Sequence, residues 1–262
     1  MHDHSHTMGV GPQLILVIPF VLAFFAYMLA IIVSNRTYKE WPLYRTLCWG
    51  TGILFATVAV FGPLAEKAHM DFTVHMVGHL FLGMIAPLLM ALAAPMTLLL
   101  RTLSVSRARN VMRVLKTKPF RFLTDPFIAS ILNIGGLWLL YTTSLYTAMH
   151  EYAFIHVLIH AHVFLAGYIF TISMIYIDPI PHRTSYMYRS IILIIALAGH
   201  GILSKFLYAN PPAGVAITDA EKGSMLMYYG GDAVDIVIIF ILCLQWYRST
   251  RPKQMFESQH SI

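Results

Sequence analysis

The chain contains seven separate apolar stretches, each long enough to cross a bilayer, at residues 12–34, 43–62, 73–100, 126–147, 152–177, 187–207 and 225–247. A hydrocarbon core ~30 Å thick needs roughly 17 to 25 apolar residues per helical crossing, and inside it a helix keeps all its backbone hydrogen bonds within the segment. The predicted fold is therefore all-α and polytopic, with seven transmembrane helices. Composition agrees: 58% of the 262 residues are hydrophobic and 11% charged, with mean hydropathy +0.67, against roughly 25% charged in a soluble domain. The organisation that follows is a His-rich tail at 1–11, a membrane domain at 12–247 and a second tail at 248–262. The first stretch reads as a helix and not as a cleaved signal. It is too long for an h-region, it follows His2-Asp3-His4-Ser5-His6 instead of a basic n-region, and it lacks a small-residue cleavage site.

Seven crossings put the two termini on opposite sides, and the Lys/Arg bias of short loops chooses between the two arrangements. With the N-terminus outside and the C-terminus inside, the inner segments hold Arg36, Lys39, Arg45, Arg101, Arg107, Arg109, Arg113, Lys116, Lys118, Arg121, Arg183, Arg189, Arg248, Arg251 and Lys253, which is 15 of the 18 Lys and Arg. Only Lys67, Lys205 and Lys222 fall outside. That asymmetry, together with anionic lipid, accounts for the net charge of +6. The basic residues carry no recognition motif, so no nucleic-acid partner is expected. In the longest inner connection, 101–125, Ala108, Val111, Met112 and Leu115 recur at helical spacing among Arg109, Arg113 and Lys116, the pattern of a helix lying along the membrane surface. Cys48 and Cys243 are the only cysteines and form no CxxC clip, which makes thiol chemistry a poor expectation.

On this topology 11 of the 13 histidines lie outside or in the outer half of the membrane, and only His182 and His260 lie inside. The third helix carries His75-x-x-x-His79 and the fifth His156-x-x-x-His160; each spacing puts two imidazoles one turn apart on one face, ~6 Å along the axis. His162 is turned roughly 200° from His160 by the helical period and is expected to pack or to support a ligand. His200 on the sixth helix and Asp232 on the seventh each lie about eight residues, ~12 Å, below the outer boundary, level with His79 and His160. Ionisable groups at that depth face a bundle interior, pair with one another or bind an ion. Any one of these histidines is well explained as part of a hydrogen-bonded network; two paired motifs with His200 and Asp232 at matched depth point instead to a metal site. Its expected ligands are His75, His79, His156, His160, His200 and Asp232. Asp235, His162 and His69 are expected to support the site, with Met70, Met76, Met225 and Met227 at its mouth and His2, His4 and His6 as a capture tail. Imidazole suits copper and zinc alike, and the thioethers favour Cu(I), so copper is the expected ion, with zinc possible.

Three other readings of the same residues stay open. An intramembrane zinc-dependent hydrolase would use three histidines and an acid to activate water. A haem protein would use one histidine from each of two helices as axial ligands. A scaffold would bind no ion. No serine or second acid stands in a recognisable catalytic pattern, and no catalytic residue is assigned.

The segment His75-Met76-Val77-Gly78-His79, continuing through Met84, Ala86-Pro87, Ala94-Pro95 and Thr97-Leu98-Leu99-Leu100-Arg101, resembles the Caa3-type CtaG family of Gram-positive cytochrome c oxidase assembly factors. Asp178-Pro179, the stretch Gly199 to Pro212, and Asp219 followed by Gly223, Met227 and Gly230-Gly231 resemble that family's later motifs in the same order. The likeness covers roughly residues 45 to 250. It departs at Ala220-Glu221-Lys222 and Tyr228, where many members carry a glutamine-rich segment and a tryptophan. The resemblance implies a multi-pass bacterial plasma-membrane protein that helps mature a haem-copper oxidase by handling copper at the outer face, with an oxidase subunit or another assembly factor as partner. It also implies functional roles for His75, His79, His156 and His160.

Overall fold

The computed structural model describes residues 10–251; the tail histidines His2, His4 and His6, and Lys253 and His260, lie outside the described residues. Those described are helical and contain no strand. In chain order the helices are α1 (Val10–Asn35), α2 (Leu43–Val60), α3 (Pro63–Ala68), α4 (Phe72–Leu92), α5 (Pro95–Thr102), α6 (Val105–Leu115), α7 (Lys118–Leu123), α8 (Pro126–Thr142), α9 (Leu145–Glu151), α10 (Ala153–Met174), α11 (Tyr186–Ala209) and α12 (Ile217–Thr250). Among the described residues six, α1, α2, α4, α10, α11 and α12, are long and apolar enough to cross a membrane; α8 and α9 pass the same test only as a pair, bent by 78° at the break between them, so the crossings number up to seven.

Two of the apolar stretches are thus broken where hydropathy alone is continuous. The 73–100 run ends as α4 at Leu92, because Ala94 adopts the left-handed conformation at φ +51° and Pro95 opens α5. The Asp178 carboxylate caps that new helix, accepting from the backbone N–H of Met96 (2.9 Å) and Thr97 (2.7 Å) and from the Thr97 hydroxyl (2.6 Å). The 126–147 run bends after Thr142. Thr142 and Thr143 donate their hydroxyls to the carbonyls of Trp138 and Leu139 (2.6 Å each), Thr143 is extended, and the chain leaves the α8 axis as α9. The 101–125 connection forms α6 and α7; α6 exposes Arg109 and Arg113 and turns Leu115 inward.

The central helix is α4. Of its apolar window 56% is buried, against 22% for α1, and it packs on α2, α10 and α12. Small residues bring these helices together, as expected where lipid removes most of the hydrophobic drive for association. At the α4–α10 crossing a Cβ on Gly167 would collide with the Gly83 carbonyl, and on α2 a Cβ on Gly52 would press on Met90 and the Ala86 carbonyl. A π turn interrupts α4 at Phe81–Ile85 and another interrupts α8 at Ile131–Gly135. His162, exposed on α10, donates from Nε2 to the Leu132 carbonyl in the second of these (3.0 Å) and so ties α10 to α8.

Candidate metal centre

Asp71 caps the N-terminus of α4 by accepting from the Val74 N–H (3.1 Å), and the helix so started buries His75 and His79 one turn apart. The bend after α8 brings α9 across this end of the bundle, so that Tyr141, Tyr146 and His150 surround His75. Tyr141 Oη is 3.0 Å from His75 Nε2 and 3.9 Å from the Met76 sulfur. The His150 ring centre is 6.3 Å from that of His75 and 5.7 Å from that of His69, His69 is 5.1 Å from His156, and His156 is 4.0 Å from His160. Five imidazoles therefore form a continuous chain, in the order His75, His150, His69, His156 and His160.

Hydrogen bonds settle the tautomers of two of them. A ring nitrogen facing a carbonyl must carry the proton. His160 donates from Nδ1 to the His156 carbonyl (2.9 Å) and His150 from Nδ1 to the Tyr146 carbonyl (2.8 Å), which leaves the Nε2 lone pair of each free, the arrangement found in metal-ligating histidines. Burial, and then the neighbouring His150, lower the pKa of His69 from its ordinary value and keep it neutral at physiological pH.

A second, deeper group lies below. His79 on α4 and His200 on α11 stand with ring centres 6.4 Å apart, and with Asp235, Asn133 and Thr171 they line a cavity of ≈ 20 Å³. His75, His79, His160, Tyr141 and Met149 line another of ≈ 30 Å³. Each holds about one water-sized guest, and His79 belongs to both. The Nε2 atoms of His79 and His200 and the Nδ1 of His156 are buried without a hydrogen-bond partner. Leaving such an atom without a partner costs ~1–3 kcal/mol, and unpaired buried polar atoms in a native fold call for an ordered water, an ion or a function.

An ion held ~2.0 Å from two imidazole nitrogens places the ring centres on the order of 5–6.5 Å apart. The His79–His200, His75–His150, His69–His150 and His69–His156 pairs fit that range. Among the described residues, however, no group of three or more His, Cys, Asp or Glu side chains converges on one point for a metal ion.

The placements differ from the sequence expectations in several ways. Asp232 is exposed on the outer surface of α12, and the carboxylate turned into the bundle is Asp235, 4% exposed. The buried stripe of α12 runs through Gly223, Met227, Gly231 and Asp235, four residues apart, and Asp232 falls off it. Of the methionines expected at the mouth, Met70 is 92% exposed and lines an outer pocket with His69 and His150, Met225 is exposed on α12, Met227 is buried in the apolar core, and the Met76 sulfur meets Tyr141, which contacts His75. The thioether lining a histidine cavity is Met149. Met149, His150, Tyr141, Tyr146 and Asn133 were not singled out from the sequence. His150 and Met149 had a signal in their outer position, but the bend that folds them over the site had none in hydropathy.

Fold and site together define a polytopic helical membrane protein with a ladder of intramembrane histidines at one end. The model of the cytochrome c oxidase caa3 assembly factor family, Caa3_CtaG, matches residues 25–249, and the chain belongs to that family. An uncharacterized protein of Mycobacterium leprae is 26% identical over 256 residues, 90% of this chain and 39% of that protein. Uncharacterized proteins of Mycobacterium bovis and Mycobacterium tuberculosis are each 26% identical over 248 residues, 87% of this chain and 38% of theirs. The chain thus spans less than half the length of these relatives. No solved structure matches it.

Proposed function

We propose that the protein takes up copper at its histidine end, outside the plasma membrane, and passes it to a subunit of a haem-copper oxidase during assembly. The observation that carries this reading is the pair of unpartnered, buried Nε2 atoms of His79 and His200 facing a cavity the size of one small guest. The orientation rests on the Lys/Arg asymmetry. Copper is here the cargo. His69, His150 and His156 at the end of the bundle receive it, His75 and His160 accept it next, and His79, shared by both cavities, turns it toward His200. Each transfer exchanges one imidazole for another over a few ångströms, so the ion is never without a ligand in hydrocarbon.

Delivery needs a face for the client. Exposed Asp232 shares the α11–α12 side of the bundle with exposed Lys205, Tyr208 and Tyr229, and a groove between these helices is lined by Lys205, Tyr208, Tyr228 and Tyr229. A carboxylate and an ammonium directed at lipid are costly, and a membrane helix of the client covering them removes that cost. The haem reading, with axial ligands from the third and fifth crossings, is disfavoured by the ≈ 30 Å³ cavity that His75, His79 and His160 line, which has no room for a macrocycle. The zinc-hydrolase reading needs three protein ligands on one ion, which the described residues do not bring together.

The test is Cu(I) titration of protein purified without a histidine tag, against a chromophoric chelator, for the wild type and for His79→Ala with His160→Ala. Stoichiometric copper in the wild type, lost in the double variant together with oxidase maturation in cells, is the expected result. A wild type that takes up no copper, or a double variant that binds copper and matures oxidase as the wild type does, overturns the proposal.

A further inference from the structure

At the opposite end of the bundle, a cavity of ≈ 200 Å³ opens between the last turns of α10, the α6–α7 connection and the segment after α10. Its walls are Leu115, Phe120, Leu123, Tyr168, Ile172 and Ile177, with the end of α4 and the start of α5 closing it. One carboxylate reaches it, Asp178, whose oxygens are committed to the cap of α5. An apolar cavity of ~150 Å³ stays dry and takes up a small hydrocarbon, and this one, whose walls are mostly aliphatic and aromatic with Thr124 and Tyr168 the other polar side chains, favours hydrocarbon over water. Its rim has the opposite character. Lys116, Lys118 and Arg121 are exposed on the connection that walls the cavity, and His182 Nε2 donates to the Lys116 carbonyl (3.3 Å), bringing exposed Arg183 to the same rim. Phe122 and Leu123, 60% and 40% exposed, leave the rim apolar where it meets the bilayer.

An apolar chamber at the membrane boundary, crowned by several cations, has the chemistry of a phospholipid and not of a soluble anion. We propose that this cavity binds one acyl chain of an anionic phospholipid, with the headgroup phosphate held by Lys116, Lys118, Arg121 and Arg183. The lipid would pin α6 and α7 against α10. Each basic side chain near the surface is worth about fivefold in affinity for an anionic lipid, so the headgroup cluster gives strong selection over zwitterionic lipid.

The experiment uses the full chain in phosphatidylcholine nanodiscs containing a minor fraction of a lipid with brominated chains, either phosphatidylglycerol or phosphatidylcholine. Bromine quenches a tryptophan it touches. Phe120→Trp places the reporter in the cavity wall, Leu123→Trp serves if that variant fails to fold, and Phe25→Trp on the exposed side of α1 reports ordinary surrounding lipid; the native tryptophans are subtracted using the wild type. The expected result is quenching at 120 or 123 several-fold stronger with phosphatidylglycerol than with phosphatidylcholine, equal quenching by both at 25, and loss of about fivefold or more of the preference in Lys118→Gln with Arg121→Gln. Equal quenching by the two lipids at the cavity position, or none, overturns the proposal, as does a preference that survives removal of the two cations.

Discussion

His200→Leu separates a ligand from a structural histidine, because the two roles predict opposite signs for the protein without copper. His200 is 3% exposed and its Nε2 has no partner, so in the copper-free protein the ring bears the ~1–3 kcal/mol cost of an unmade buried hydrogen bond. Leucine has nearly the same volume and no polar atom. Its misfit against Gly231, which packs on the His200 ring, costs less than ~1.5 kcal/mol by the usual penalty for volume-conserving swaps. The two terms leave the copper-free variant between about 0.5 kcal/mol less stable and ~3 kcal/mol more stable. Copper binding moves the other way. Supporting partners of a metal ligand are alone worth about 10–100-fold, so loss of a direct ligand should weaken binding at least ~100-fold, or ~2.7 kcal/mol. The assays are thermal unfolding in detergent followed by circular dichroism, with copper removed, and Cu(I) titration on the same preparation. A variant less stable by more than ~2 kcal/mol that still binds copper like the wild type would make His200 a packing residue and refute the reasoning.

Protons compete with copper for imidazole, and because His69 titrates below its ordinary value of about 6.5, its neutral, ligating form persists as pH falls to that point. The His69 ring, followed by NMR in the copper-free protein, should therefore titrate with a midpoint below 6.5; a midpoint at or above that value would contradict the assigned environment. Asp232→Asn should leave copper affinity unchanged and reduce the yield of active oxidase in cells, read as oxidase activity per unit of membrane; unchanged oxidase activity would remove the α11–α12 face from the proposal. Asp178→Ala strips three hydrogen bonds from the start of α5 and should destabilise by about 2 kcal/mol, the upper range for a lost cap, with copper affinity intact, as unfolding and titration together would report.

The crossings were legible because span length and backbone satisfaction leave a membrane chain few choices. The breaks in them were not. Thr142 and Thr143 satisfy their own helix carbonyls and let α8 end without any change in apolarity, and Ala94 enters the left-handed region without a glycine to announce it. The paired histidines were legible from the 3.6-residue period. The choice between Asp232 and Asp235 was also within reach: Gly223, Met227, Gly231 and Asp235 continue one i, i+4 stripe of small and buried residues, and depth alone, without that phase, selected the wrong carboxylate for the interior. His150 and Met149 depended on the unseen bend.

The π turn in α4 ties the site to the packing beneath it. Gly83 touches the His79 ring, and a Cβ on Gly167 of α10 would meet both Gly83 and Pro87, so residues 79, 83 and 87 lie along one side of α4. A spacing of four overshoots an α-helical turn by ~40° at each step, which over eight residues carries the stripe ~80° around the helix. The looser i→i+5 turn at Phe81–Ile85 adds roughly one residue per turn and cancels most of that drift. His79 therefore stays above the Gly83–Gly167 crossing, where the backbones of α4 and α10 meet. The close Gly83–Gly167 approach thus fixes the segment that carries His79, and the helix irregularity that a hydropathy profile passes over holds in place the histidine shared by the two cavities.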